Sequence, residues 1–329
     1  MNVLVLGSGF ARSVCPKMPT LHDLTDELFY PKAGSELPGS LGKLIDDYVS
    51  LTEGLSEFRR VESLCTFMFS KSVFRSVEEQ SDFQRSRADF LRWLGRRLGN
   101  EELRVKADSE GVLRRLLDRS SVEAGSRMEQ AETQLVTLNV DLLIERFMAT
   151  KLNRDATWVW DYHVDLPRYS RHHAAGPIRG RNWVLPYLKL HGSVNWFRAH
   201  GADRNDLQAV YEVEQRTRDS WLHEDDYPVF IPMAHAKESF LHGTLFATLW
   251  STMTAYLSRA QHISFVGYSF PETDQINLLE FLKHKDRVRD IVIYEPSGNT
   301  LEDRLSRLFP RAVIRNEDAL DYLRETSVW

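Results

Sequence analysis

Apolar runs of strand length alternate along this chain with stretches of helical periodicity, the pattern of parallel βαβ units. The runs are Val3 to Leu6, Gln134 to Leu138, Tyr187 to Leu190, Val229 to Pro232, His262 to Val266, Ile291 to Tyr294 and Ala312 to Arg315. Together they predict an α/β fold built on one Rossmann-like, doubly wound and mainly parallel sheet. Between the first two runs no convincing strand occurs. Asp89 to Leu98 and Gly111 to Leu117 instead repeat apolar residues at helical spacing. The pattern therefore predicts a core formed by residues 1–30 and 131–329 and a helical insertion, 31–130, over the carboxyl edge of the sheet. The Pro/Gly/Ser stretch Pro31 to Gly42 opens that insertion as an expected mobile loop, and the polar segment Ser120 to Glu132 closes it. A second insertion, rich in Arg, His, Tyr and Gly, is expected at about Trp158 to Trp183. No internal repeat stands out.

Composition narrows the function classes. The 329 residues are 42% hydrophobic and 27% charged with a formal net charge of −5, an ordinary globular profile. A mildly acidic chain lacks the basic footprint of a stand-alone nucleic-acid binder, Arg92 to Arg97 being only a local patch, so direct nucleic-acid binding is not expected. The start Met-Asn-Val-Leu-Val-Leu-Gly carries no basic leader, and no long apolar span follows. Neither a signal peptide nor a membrane helix is expected, and the expected location is cytoplasmic. Cys15 and Cys65 are the only cysteines. A zinc ribbon needs four Cys or His ligands, usually in paired C-x-x-C units, so no metal site is expected. His172-His173 lies in a polar stretch without suitably spaced partners and reads as a solvated loop.

Candidate chemistry gathers where apolar runs end, which is where open α/β sheets place their ligands. Val3 to Leu6 runs into Gly7-Ser8-Gly9-Phe10-Ala11-Arg12, a turn small enough for a pyrophosphate to approach backbone amides. A dehydrogenase fingerprint would need a third glycine where Arg12 stands, and an acidic residue at the end of a second strand; both are missing, so hydride transfer is the poorer reading. A tight βα turn without a ligand is the structural alternative. After Thr137-Leu138 come Asn139 and Asp141. Asp141 can cap the helix that follows, whereas the Asn139 amide has no evident local duty and can hold a water by donating and accepting at once. His191 follows Leu188-Lys189-Leu190 and precedes Gly192. A histidine there is either a hydrogen-bonded core residue or, with a pKa near neutrality, a general base.

Taken in order, Gly7-Ser8-Gly9, Thr137-Leu138-Asn139-Val140-Asp141, Leu190-His191-Gly192-Ser193-Val194-Asn195-Trp196 and Val266-Gly267-Tyr268-Ser269-Phe270-Pro271-Glu272-Thr273-Asp274 resemble the Sir2-like family of NAD-consuming enzymes. The branch they resemble is the zinc-free, SIR2_2-type NAD hydrolases of bacterial antiphage defence; Val140 departs from the family's tyrosine. The resemblance implies NAD+ as substrate with no metal, and Asn139 and His191 as catalytic residues. It implies contacts to NAD+ from Gly7, Ser8, Gly9, Arg12, Asp141, Gly267 and Ser269, and from Glu295 at the adenosine ribose, where an exposed edge acid is the alternative. Val229 to Pro232 and Lys237 resemble the family's strand, proline and lysine, a surface ion pair being the ordinary reading of that lysine. Trp196 is expected to pack. The resemblance further implies NAD+ depletion in abortive infection, held in check by assembly. Because the chain leaves no room for an appended sensor after its last strand and helix, a homo-oligomer is expected, together with a partner such as a ring-forming HerA-like ATPase or an Argonaute-like protein. A protein deacylase, an ADP-ribosyltransferase and a catalytically silent nucleotide sensor are the other classes, the missing zinc ribbon counting against the first.

Overall fold

A computed structural model describes residues 1–31, 37, 39–51, 60–69, 77–100, 104–152, 158–164, 166, 168–169, 183–198, 210–213, 227–234, 237, 243–293 and 300–325. In chain order the first half gives β1 (Asn2–Leu6), α1 (Ser8–Val14), α2 (Leu21–Phe29), α3 (Gly39–Leu51), α4 (Arg60–Phe69), α5 (Val77–Leu98), α6 (Glu110–Ser120), β2 (Val122–Glu123), β3 (Thr133–Thr137) and α7 (Leu143–Phe147). Next come β4 (Trp158–Asp161), β5 (Arg168–Tyr169), β6 (Trp183–Lys189), β7 (Gly192–Arg198), β8 (Val210–Val213) and β9 (Tyr227–Phe230). The chain continues with α8 (Thr244–Arg259), β10 (His262–Val266), α9 (Gln275–Leu282), β11 (Val288–Ile293), α10 (Thr300–Leu308), β12 (Val313–Asn316) and α11 (Ala319–Glu325).

An eight-stranded sheet carries the order β12-β11-β10-β1-β3-β6-β2, with β4 also paired to β6. All its pairings are parallel except that of β2 with β6. The central strands are buried on both faces, which is why β1 is apolar from Val3 to Leu6 rather than alternating, and β3 buries Thr133, Gln134 and Thr137 alongside Leu135 and Val136. From β1 the chain builds outward through β3 to β6, then returns to β10 and builds the other way through β11 to β12. The reversal lies between β1 and β10, and a doubly wound sheet opens its ligand crevice at such a switch point.

The run around Val229 does not join this sheet. It forms β9, which pairs antiparallel with β7 in a four-stranded sheet of order β5-β8-β7-β9. An apolar run shows that a strand is buried but not which sheet buries it, so the expectation of one sheet is corrected to two. The motif after His191 is itself the strand β7, buried along nearly its whole length.

Helices α1 to α6 lie between β1 and β2 in the chain. Thr20 opens α2 with a capping box, its hydroxyl accepting the Asp23 amide at 3.1 Å while Asp23 accepts the Thr20 amide at 2.7 Å. Arg97 near the end of α5 forks onto Glu27 of α2 with contacts of 2.6 to 2.9 Å. α5 packs on β7 and β9, and α6 packs on β3 and β6 in the manner of an ordinary crossover helix. Among the described residues no helix is long and apolar enough to cross a membrane.

Candidate functional site

Registers place the motif residues side by side. Leu6 pairs with Thr137 and with Val266, and Thr137 pairs with Lys189. Gly7, Asn139, His191 and Gly267 therefore all lie just past the carboxyl ends of the four adjacent strands β10, β1, β3 and β6.

At the switch point the two glycine turns are pressed together. The Gly7 amide donates to Val266 O at 3.0 Å and the Gly9 amide to Gly267 O at 2.8 Å. A Cβ on Gly7 would lie 2.5 Å from Gly267 O, and one on Gly267, whose φ is +70°, would lie 2.0 Å from Phe10 N. These glycines serve backbone-to-backbone packing, with two of the turn's amides already engaged. Ser8 and Ser269 remain exposed at the rim. Arg12 donates to Met18 O and stands 4.0 Å from Asp23, its side chain about half exposed. Glu295 and His172-His173 lie outside the described residues.

Asn139 does have a local duty. Its Nδ2 donates to Gly7 O at 2.9 Å, while its backbone amide donates to Thr137 Oγ1 at 3.0 Å. Asp141 Oδ1 accepts the Leu143 amide at 3.0 Å, the helix-start contact that its position suggested. Burial raises the Asp141 pKa against the pull of Lys189. Lys189, wholly buried within β6, donates to Asp141 O and pairs with Glu145 of α7 at 2.8 Å. The Tyr162 hydroxyl donates to the same Glu145 oxygen at 3.0 Å. Alongside it Glu212 of β8 accepts from Trp160 Nε1 at 3.2 Å and from Asn195 Nδ2 at 3.1 Å. Trp196 is buried, and its ring meets the Tyr162 ring edge-on with centroids 5.0 Å apart, so it packs. Ser193 is buried in the same strand.

His191 is only 6% exposed. Its Nε2 stands 3.0 Å from Asn277 Nδ2. An amide nitrogen only donates, so Nε2 is the acceptor and Nδ1 carries the hydrogen. Burial first, and Lys237 second, push the imidazole pKa down to about 3 against the opposing effect of Asp274. The expectation of a pKa near neutrality is thereby corrected: the ring is neutral throughout the physiological range. Lys237 is also not a surface residue; it is 4% exposed and ion-paired with Asp274. Burial opposes the charge on Asp274, yet Lys237, His191 and Tyr268 together hold its pKa below the usual carboxylate value.

Sequence reasoning overlooked Asn277, Glu145 and Lys189. The available signals were slight: an asparagine between apolar residues in the helix start Gln275-Ile276-Asn277-Leu278-Leu279, and one lysine at the end of an apolar strand. Among the described residues no group of three or more His, Cys, Asp or Glu side chains is arranged to hold a metal ion.

No protein-family model matches the chain, and no curated protein matches it. Among solved structures it is similar to one titled "Structural Basis for the Mechanism and Regulation of Sir2 Enzymes", at 13% identity over 98% of this chain and 88% of that one, with a TM-score of 0.44. It is similar also to "Sir2-p53 peptide-NAD+", at 13% identity over 98% and 90% with a TM-score of 0.43. A third is "Structure of Sir2Tm bound to a propionylated peptide", at 15% identity over 98% and 90% with a TM-score of 0.40.

Proposed function

We propose that this chain is an NAD+ hydrolase, releasing nicotinamide and ADP-ribose, whose catalytic pair is Asn139 and His191. The observation that carries the reading is the placement of these two side chains beyond the ends of the adjacent parallel strands β3 and β6, next to the reversal between β1 and β10. Its chemical basis is the family resemblance of the motifs that end those strands.

In the proposed reaction the bond between ribose C1′ and the nicotinamide nitrogen breaks, leaving an oxocarbenium-like carbon that one water attacks. Water supplies the hydroxyl of ADP-ribose and gives up one proton. Asn139 orients that water: with Nδ2 held on Gly7 O, its Oδ1 is the atom that accepts from water. His191 accepts the proton at Nε2, the nitrogen that faces the Asn277 amide, once that amide gives way to water. Because the Gly7 and Gly9 amides are engaged within the fold, the phosphate contacts in this reading fall to Ser8 and Arg12, with Ser269 and Glu295 toward the adenosine. Control by homo-oligomerisation and by a partner protein, and a role in antiphage defence, belong to the same proposal.

The test is release of free nicotinamide from NAD+ by the purified full chain, with and without acetylated peptide and protein acceptors. Release that needs no acceptor supports hydrolysis, and release that depends on acetyl-peptide or on an acceptor protein replaces it with deacylation or transfer. No release by the chain alone or in any assembly sinks the enzyme reading.

A further inference from the structure

Behind His191 lies a closed polar cluster that the catalytic pair does not include. Asp274 takes Lys237 on Oδ1 and the Tyr268 hydroxyl on Oδ2, the latter at 2.8 Å. Its Oδ1 is 4.0 Å from His191 Nε2, beyond hydrogen-bond reach but close enough for charge to be felt. Asn277 Nδ2 lies 3.0 Å from the same nitrogen and faces its lone pair. His191, Lys237, Asp274 and Asn277 are 6%, 4%, 5% and 2% exposed, so no solvent screens them. Among the described residues, the other titratable groups that act on the cluster are Tyr268, itself under the field of Arg304, and Cys65 of α4; burial raises Tyr268 and Cys65 above their usual pKa values, so each is neutral at pH 7.

Charge counting gives the consequence. Lys237 and Asp274 cancel, and a proton on His191 would leave two buried cations against one anion. Without Lys237 the same proton would complete a neutral imidazolium–carboxylate pair. We propose that Lys237 and Asn277 are positioning residues for His191: Asn277 fixes the accepting nitrogen, and Lys237 occupies Asp274 so that the carboxylate cannot charge the ring. The proposal takes its link to turnover from the hydrolase reading, but its titration does not depend on it.

The experiment follows the His191 ring by 13C and 15N NMR from pH 4 to 9 in the full chain, comparing wild type, Lys237→Met, Lys237→Arg and the double variant Lys237→Met/Asp274→Asn. Wild type and Lys237→Arg are expected to stay neutral with hydrogen on Nδ1 down to the acid end. Lys237→Met is expected to move the titration midpoint up by about two units or more, and the added Asp274→Asn to move it back down. An unchanged midpoint in Lys237→Met, or a raised one that survives Asp274→Asn, overturns the role of Lys237. Where Lys237→Met does not fold, Asn277→Asp places a carboxylate against Nε2 and should raise the midpoint by about one unit or more; no rise overturns the assignment of that contact. Asn277→Ala should release the tautomer into a mixture, and a ring that keeps hydrogen only on Nδ1 removes Asn277 from the proposal. If no protein in the series, wild type included, releases nicotinamide, the hydrolase reading fails while these titrations still decide the positioning roles.

Discussion

Asn139 Nδ2 donates to the Gly7 carbonyl across 2.9 Å, so one side chain ties the end of β3 to the turn after β1. The bond makes Asn139 both a catalytic candidate and a structural strut, and the two duties separate in magnitude. Asn139→Ala should cost about 1 kcal/mol of stability through the lost hydrogen bond. Loss of water orientation should lower nicotinamide release about a hundredfold or more. Urea denaturation and the release assay together decide the matter: a stability loss with full turnover leaves Asn139 as a strut alone.

His191 gives stability a definite dependence on pH. Its folded pKa, about 3, lies below the ordinary 6.5, so between those values the unfolded chain holds a proton that the native chain refuses. Stability is therefore lost as pH falls through that window, amounting at pH 5 to about 2 kcal/mol relative to pH 7. His191→Gln removes this contribution. Urea midpoints of the two proteins at pH 7 and pH 5 should converge on acidification, and parallel midpoints would refute the depressed pKa.

Glycine-to-alanine substitution discriminates a crowded turn from an open one. Gly267 combines a φ of +70° with a Cβ position 2.0 Å from Phe10 N, whereas Gly125 has a φ of +92° with nothing within 4 Å. Gly267→Ala should cost about 3 to 4 kcal/mol, because a clash with backbone adds to the conformational strain. Gly125→Ala should cost about 1 kcal/mol from backbone strain alone. Thermal melts of the two variants test the ordering.

Buried charge under the site should show strong coupling. Lys189→Met leaves Glu145 without its cation, and the expected loss is about 3 to 5 kcal/mol. The double variant Lys189→Met/Glu145→Gln should be more stable than this single one. A double-mutant cycle by chemical denaturation measures the difference, and additive losses would show that the pair is not coupled.

Much of the main sheet was legible because its strands are buried on both faces. His262 to Val266 matches β10 from end to end, and Val3 to Leu6 differs from β1 only at its first residue. The second sheet was not, since Val229 to Pro232 carries the same apolar signature whichever sheet receives it. Two-residue strands such as β2 and β5 have too few positions to show any period. Candidate residues were found where strands end, which local sequence reveals. Their protonation was not, because Lys237, Asp274 and Asn277 reach His191 from distant parts of the chain.

The seam of glycines between β1 and β10 has a meaning for how such a chain can vary. Gly267 fills the space that a side chain on Gly7 or Gly9 would need, and Gly9 with Phe10 fills the space that one on Gly267 would need, so none can acquire one unless an opposing backbone retreats. In a set of diverged sequences these positions should change in concert or not at all, as a single inherited character distributed between opposite ends of the chain.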